Sequence, residues 1–254
     1  MTDADIALIE RLADAAGAAI RPFFRAAFTV ETKADASPVT QADRAAEAAI
    51  RAILEAERPA DGIIGEEYGV SRPEAARQWV IDPIDGTRAF LVGRPLFGTL
   101  IALLEDGRPV LGVIDQPIAR DRWLGAVGRR TTLNGVGART RTCATLASAH
   151  LATTGPYLFP GNAQPRFDRL RGHVRDTIYG GDCHNYGLLA SGHVDLVVEA
   201  QLQLYDFAAL VPVVEGAGGR MCDWAGRPLG PDSDGKVIAA GTPVLADAAI
   251  AALA

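Results

Sequence analysis

From residue 3 to about 27 apolar side chains recur at helical intervals (Ile6, Leu8, Ile9, Leu12, Ala15, Ala16, Ile20, Phe23). This predicts an amphipathic helix that Pro22 bends near its end. Val30-Glu31-Thr32-Lys33 alternates like a strand, and residues 34–38 carry turn chemistry. Thr40 then reads as the N-cap of a second helix, with Asp43 at its third position and Ala46, Ile50 and Ile53 as its apolar stripe. Short apolar runs predict strands at 62–65, 79–81, 97–104, 110–114, 151–154, 178–182, 194–199 and 238–240. Residues 70–78 and 156–165 read as connecting loops, and 167–174, 183–191, 205–217 and 242–253 as helices, the third stopped by Gly218-Gly219. Hairpin signals stand at 105–109, around Asp106-Gly107, and at Asn134-Gly135. Antiparallel hairpins of this kind argue for α+β layering rather than a doubly wound parallel sheet.

The 254 residues are 48% hydrophobic, enough for one large domain or two intimately packed halves. A shift to Thr, Arg and Ala at 139–148 suggests a seam between a half ending near 140 and one beginning near 141. A formal net charge of −6, a pI near 5.3 and the absence of any Lys/Arg run give no footprint for nucleic acid or an anionic membrane. The acidic start, Met1-Thr2-Asp3-Ala4-Asp5-Ile6, has no basic region before an apolar one, so a cytoplasmic location is expected. Cys143, Cys183 and Cys222 are odd in number and far apart, which fits reduced thiols, and the four histidines lack zinc-hydrolase spacing.

Candidate chemistry centres on residues 79–90. The apolar run from Trp79 to Ile81 should end at Pro83, leaving Asp82 at a strand tip. The turn at Asp85-Gly86 brings round a second carboxylate, together with the Ile84 carbonyl. Hard oxygens without Cys or His suit Mg²⁺. Thr87 as a helix cap would leave the Gly86 and Thr87 N–H groups to an anion. Each piece also has an ordinary reading, as a strand exit and a turn. An acidic pair at Gly65-Glu66-Glu67 and a further aspartate in Leu204-Tyr205-Asp206-Phe207 tip the balance toward a site.

These pieces in this order resemble the inositol monophosphatase superfamily of Mg²⁺-dependent, lithium-sensitive sugar phosphatases. The resemblance covers nearly the whole chain and implies an α/β/α/β/α sandwich. It implies Mg²⁺ held by Glu66, Asp82, Asp85, Asp206 and the Ile84 carbonyl, with Glu67 as an outer partner. Glu66 and Thr87 would position the attacking water, Asp43 would orient Thr87, Lys33 matches the family lysine before the turn, and Gly86 and Thr87 would bind phosphate. Helix capping remains a second reading of Asp43, as dipole complementation does of Asp206. A small phosphomonoester is the implied partner, and a homodimer the implied assembly.

Within the superfamily the chain is most similar to the histidinol-phosphatase branch, which acts in histidine biosynthesis. The similarity lies in residues 86–90, 93–100 and 112–117, Arg122-Trp123, Gly180-Gly181-Asp182-Cys183 and Tyr205-Asp206-Phe207. Inositol monophosphatases instead have Thr-Asn-Phe after Asp-Gly-Thr, Tyr-Asn-Pro in place of Asp115-Gln116-Pro117, and Cys-Trp-Asp in place of Leu204-Tyr205-Asp206. L-Histidinol phosphate carries an ammonium group and an imidazole, so its pocket should present carboxylates away from the metal. Asp182 and Glu199 fit that description, with Asn185, Asp85 and Asp206 on the same substrate side. Asp182 reads equally as a cap of the helix that starts at Cys183. An inositol, sugar or nucleotide 3′-monophosphatase stays open as an alternative. From another class, so does a non-catalytic regulatory protein on this fold, against which the intact ligand set and acidic pI argue.

Overall fold

A computed structural model describes residues 1–26, 30–32 and 38–254; Lys33 and residues 34–37 of the turn expected at 34–38 lie outside them, and Pro38 begins a strand. Helix α1 (Asp3–Ile20) opens on a capping box in which Asp5 N–H donates to Thr2 Oγ1 and Thr2 N–H to Asp5 Oδ2. It stops earlier than the apolar stripe suggests, because Pro22 turns the chain into a single 3₁₀ turn, Arg21–Phe23. Strands β1 (Val30–Thr32) and β2 (Pro38–Thr40) pair antiparallel ahead of α2 (Gln41–Glu57). Then come β3 (Gly62–Gly65), β4 (Gly69–Ser71), β5 (Arg77–Asp85), α3 (Thr87–Leu91), β6 (Gly98–Glu105), β7 (Arg108–Gln116) and β8 (Asp121–Ala126). The small hairpin β9 (Thr132–Leu133) and β10 (Val136–Gly137) turns through Asn134 and Gly135, both at positive φ as a type I′ turn requires.

The second part of the chain runs β11 (His150–Thr153), α4 (Ala163–Arg171), β12 (Asp176–Tyr179), α5 (His184–Ala190), β13 (Leu196–Glu199), α6 (Leu204–Phe207), α7 (Leu210–Gly216), β14 (Arg220–Cys222), β15 (Val237–Ala240) and α8 (Pro243–Leu253). Three expectations are corrected here. The stretch 70–78 is not all loop, since β4 pairs antiparallel with β3 at the sheet edge. The stretch 156–165 holds a 3₁₀ turn, Pro156–Leu158, and the start of α4, whose first turn accommodates Pro165 because N–H groups there have no helical acceptor. The single helix expected at 205–217 is two, α6 and α7, because Pro212 has no N–H to donate to the Ala208 carbonyl.

The strands form an eight-stranded sheet of order β10-β9-β8-β7-β6-β5-β3-β4 and a five-stranded sheet of order β12-β11-β13-β15-β14. Side chains alternate across each strand and so divide among three apolar cores. Trp79 and Ile81 of β5 join Leu8, Leu12 and Ile50 of α1 and α2 in one core. Val80 joins Tyr186, Leu210 and Val213 of α5 and α7, together with Val197 and Val237 of the second sheet, in the middle core. On the far face Leu196, Val198 and Ile238 meet Phe167 of α4 and Leu245 of α8. The order is therefore helix, sheet, helix, sheet, helix, the five layers that the family resemblance implies. Among the described residues no helix is long and apolar enough to cross a membrane.

Candidate active site

Alternation on β5 sends Val80 into the middle layer, so Asp82 follows it there. Asp85, an odd number of residues further on, would face the other way in a regular strand. The register with β6 shows why it does not: Asp82 pairs with Leu100 and Asp85 with Gly98, so three steps on β5 oppose two on β6. One extra residue brings both carboxylates to the same face. Pro83 therefore does not end the strand as expected; it sits in the irregularity, where its missing N–H forfeits no ladder bond, and its carbonyl accepts from Thr99 Oγ1 at 2.8 Å.

Gly86, at φ 87°, is the N-cap of α3. Thr87 is thus the first helical residue rather than the cap, and its hydroxyl donates to the Ile84 carbonyl at 3.1 Å. A carbonyl oxygen has two lone pairs, which leaves Ile84 one for a cation. From α6, Asp206 is fixed by accepting from Gln203 N–H at 2.6 Å. Carboxylate oxygens of Asp82, Asp85 and Asp206 lie within 4.8 Å of one another. Glu66, whose N–H donates to the Ile81 carbonyl at 3.1 Å, stands beside Asp82. Asp43 is buried on α2.

Burial, reinforced by Glu66, Asp85 and Asp206, pushes the Asp82 carboxyl well above the carboxylate range. Burial and then Asp206 raise Asp85 to about 8, and burial raises Asp206 to about 7. Such crowding of like charges is what a divalent cation relieves, and an all-oxygen donor set with no Cys or His fits a hard ion of the Mg²⁺ type.

A cavity of about 460 Å³ opens over this cluster, and Gly86, Thr87 and Asp182 line it. Asp182 does not cap α5: the N-cap is Cys183, and no side chain bonds there. Held at φ 46°, Asp182 lies so close to Gly86 that a Cβ on the glycine would be 2.9 Å from the Asp182 Cγ. Burial first, then the charges of Asp85 and Glu199, raise its carboxyl to about 8, while Arg88 pulls the other way. Glu199 also reaches the cavity but is braced on both oxygens, by Thr154 N–H at 2.8 Å and Tyr186 O–H at 2.9 Å. Asn185 is buried, and its amide donates to the Gly180 carbonyl at 3.1 Å, bracing the Gly180-Gly181 turn beside Asp182.

Several cavity residues carry no sequence signal. Tyr186 reads as an ordinary core position on a helix, and Thr154 as a strand end. Arg88, on α3, stacks its guanidinium 5.2 Å above the Tyr157 ring, so two lining residues from distant parts of the chain meet in the cavity wall.

Alternating helix and sheet layers around a carboxylate cluster, Asp82 buried and Asp85 and Asp206 half-buried, define an α/β/α/β/α protein with a candidate metal site. The chain belongs to the inositol monophosphatase family, whose sequence model matches residues 2–254 and whose members are phosphomonoesterases. It is 52% identical over 218 residues to the bifunctional phosphatase IMPL2, chloroplastic, of Arabidopsis thaliana, a match covering 85% of this chain but 63% of that protein. A histidinol-phosphatase of Mycobacterium tuberculosis is 40% identical, over 87% of this chain and 88% of its own. Among solved structures, an inositol monophosphatase from Zymomonas mobilis superimposes with a TM-score of 0.92 at 60% identity, over 99% of this chain and 98% of that one.

Proposed function

We propose that this chain is a Mg²⁺-dependent phosphatase of L-histidinol phosphate. The observation that carries the reading is Asp182, a carboxylate on the cavity wall that caps no helix and faces the space beside the Asp82, Asp85 and Asp206 cluster. The Mycobacterium relative's description agrees with it. Bound by these carboxylates, Glu66 and the Ile84 carbonyl, a divalent cation would supply charge to activate water and to stabilise phosphate and leaving oxygen. Glu66 and the Thr87 hydroxyl, with Asp43 behind, orient the water, and the Gly86 and Thr87 N–H groups hold phosphate oxygens. Asp182 takes the substrate ammonium, and Glu199, its oxygens already bonded, keeps the adjacent wall negative.

A panel of phosphomonoesters assayed with Mg²⁺ tests the reading. The 60% identity to an inositol monophosphatase favours one rival, inositol 1-phosphate, and preference for it would sink the histidinol assignment. Hydrolysis of no phosphomonoester, with either Mg²⁺ or Mn²⁺, would favour a regulatory role. Asp182→Asn should lower kcat/KM for L-histidinol phosphate by ~10–150-fold, the worth of a charge-assisted contact of ~1.5–3 kcal/mol. It should change the value for glycerol 2-phosphate far less, and equal losses on both would remove Asp182 from recognition.

Metal and proton compete for the same oxygens. Asp85 and Asp206 are raised to about 8 and about 7 in the fold, against about 4 in an unfolded chain. The unfolded chain therefore binds fewer protons across that window, and the contribution of these two groups to metal-free stability, full below about pH 4, is lost as pH rises through 8. Thermal unfolding in chelator should show a lower Tm at pH 8 than at pH 5. Added Mg²⁺ should raise Tm more at pH 8, where binding displaces fewer protons. A chelated protein equally stable at both pH values would contradict the crowded-carboxylate picture.

A further inference from the structure

We propose that Glu47 is a positioning residue for the metal site, a role that rests on the phosphatase reading and deepens it. Glu47 lies on α2 one helical turn after Asp43, and its side chain is fully buried. A buried carboxylate needs partners, and these are specific. Oε2 accepts from Glu67 N–H at 2.7 Å, and Oε1 accepts from Tyr68 N–H at 3.2 Å and from Arg51 Nε at 2.7 Å. Arg51 also donates to the Gly69 carbonyl, beyond the turn. Glu66 N–H is taken by the Ile81 carbonyl of β5.

The backbone that carries Glu66 is thus held from two sides, by the central strand before it and by one carboxylate after it. Gly65 makes room for this: a Cβ there would lie 1.9 Å from Glu47 Oε1, so any other residue would evict the carboxylate. Helix α2 is anchored by Ala46, Ile50 and Leu54 in the first core, so the carboxylate is delivered from a rigid element rather than a loop. The Glu66 side chain then meets Asp82 in a fixed orientation. Groups that orient metal ligands without touching the ion typically govern metal affinity or activity by ~10–100-fold.

Glu47→Gln keeps the shape but turns an amide N–H₂ toward one of the two backbone donors. Titration calorimetry with Mn²⁺ and no substrate should show metal affinity lowered by ~10–100-fold in the folded variant. The Mg²⁺ concentration for half-maximal activity should rise in parallel, with KM for the phosphomonoester nearly unchanged and kcat largely restored by excess Mg²⁺. Arg51→Met, which removes the carboxylate's cation but leaves both N–H contacts, should give a smaller loss of about 10-fold, at the lower end of that range. A folded Glu47→Gln variant with unaltered Mn²⁺ affinity would overturn the proposal, even if its Tm fell, because a merely structural brace lowers stability alone. Should Glu47→Gln fail to fold, unaltered Mn²⁺ affinity in Arg51→Met overturns it. An unmodified protein that binds Mn²⁺ but hydrolyses no phosphomonoester would remove the phosphatase reading, while the affinity comparison still decides the role of Glu47 in holding the ion.

Discussion

Asp82→Asn, Asp85→Asn and Asp206→Asn are each expected to lower kcat by ~10³–10⁴-fold, as losses of one member of a catalytic unit do. The three oxygens share one 4.8 Å neighbourhood, so each replacement removes a charged ligand that the other two cannot supply. Folding should survive, because an amide keeps the shape and the Asn oxygen can still accept from Gln203 N–H at position 206. Indeed, neutralising one of several mutually repelling, crowded carboxylates should raise Tm of the metal-free protein at pH 8 above that of the unmodified chain. The double signature, activity lost and metal-free stability gained, distinguishes a ligand from a structural aspartate. Near-normal turnover at saturating Mg²⁺ in any of the three would show that the ligand set is wrong.

Gly112→Ala and Gly125→Ala are expected to be the most damaging single-methyl additions to stability. The two glycines face each other across β7 and β8. A Cβ on Gly112 would lie 2.1 Å from the Ala209 carbonyl oxygen, and one on Gly125 2.3 Å from the Pro212 carbonyl oxygen. In both cases the obstacle is backbone, which cannot rotate aside, so the start of α7 has to lift off the sheet. Overpacking of this kind costs ~1–3 kcal/mol and sometimes more, and the rigid obstacle argues for the upper end. Because Ala209 stands just after α6, activity should fall with stability as Asp206 is displaced. The double variant should be less harmful than the sum of the singles, since both push the same segment. Gly172→Ala, whose Cβ would approach nothing closer than 3.4 Å, serves as the control and should be near neutral. Denaturant unfolding of the four variants measures all of this, and mild effects at both sheet glycines would contradict the close seating of α7.

Most strands and the α+β character were legible because burial on a strand or helix imprints a period on the chain, while the five-layer order came from the family resemblance. Trp79, Val80 and Ile81 announce a strand in any context, and Asn134-Gly135 announces its hairpin turn. The chemical types at the site, acids without Cys or His, were legible too, since donor softness is a property of the residue. What the pattern mis-stated was local: Pro83 was expected to end β5, and Thr87 to cap α3. The first follows from the irregularity opposite Gly98, which depends on pairing with β6, and the second from Gly86, whose left-handed backbone makes it the N-cap of α3.

The sequence by itself determined most strands and helices, the apolar faces they bury and which carboxylates stand near strand ends and helix starts, because period, proline, glycine and charge act over a few residues. Only the tertiary structure decided that Asp206 meets Asp82 and Asp85 across more than a hundred residues, that Asp182 faces the cavity while Glu199 is braced and Asn185 serves a turn, and that Glu47 holds the backbone beside Glu66. Those outcomes rest on contacts between layers, where a side chain's role is set by what packing brings against it.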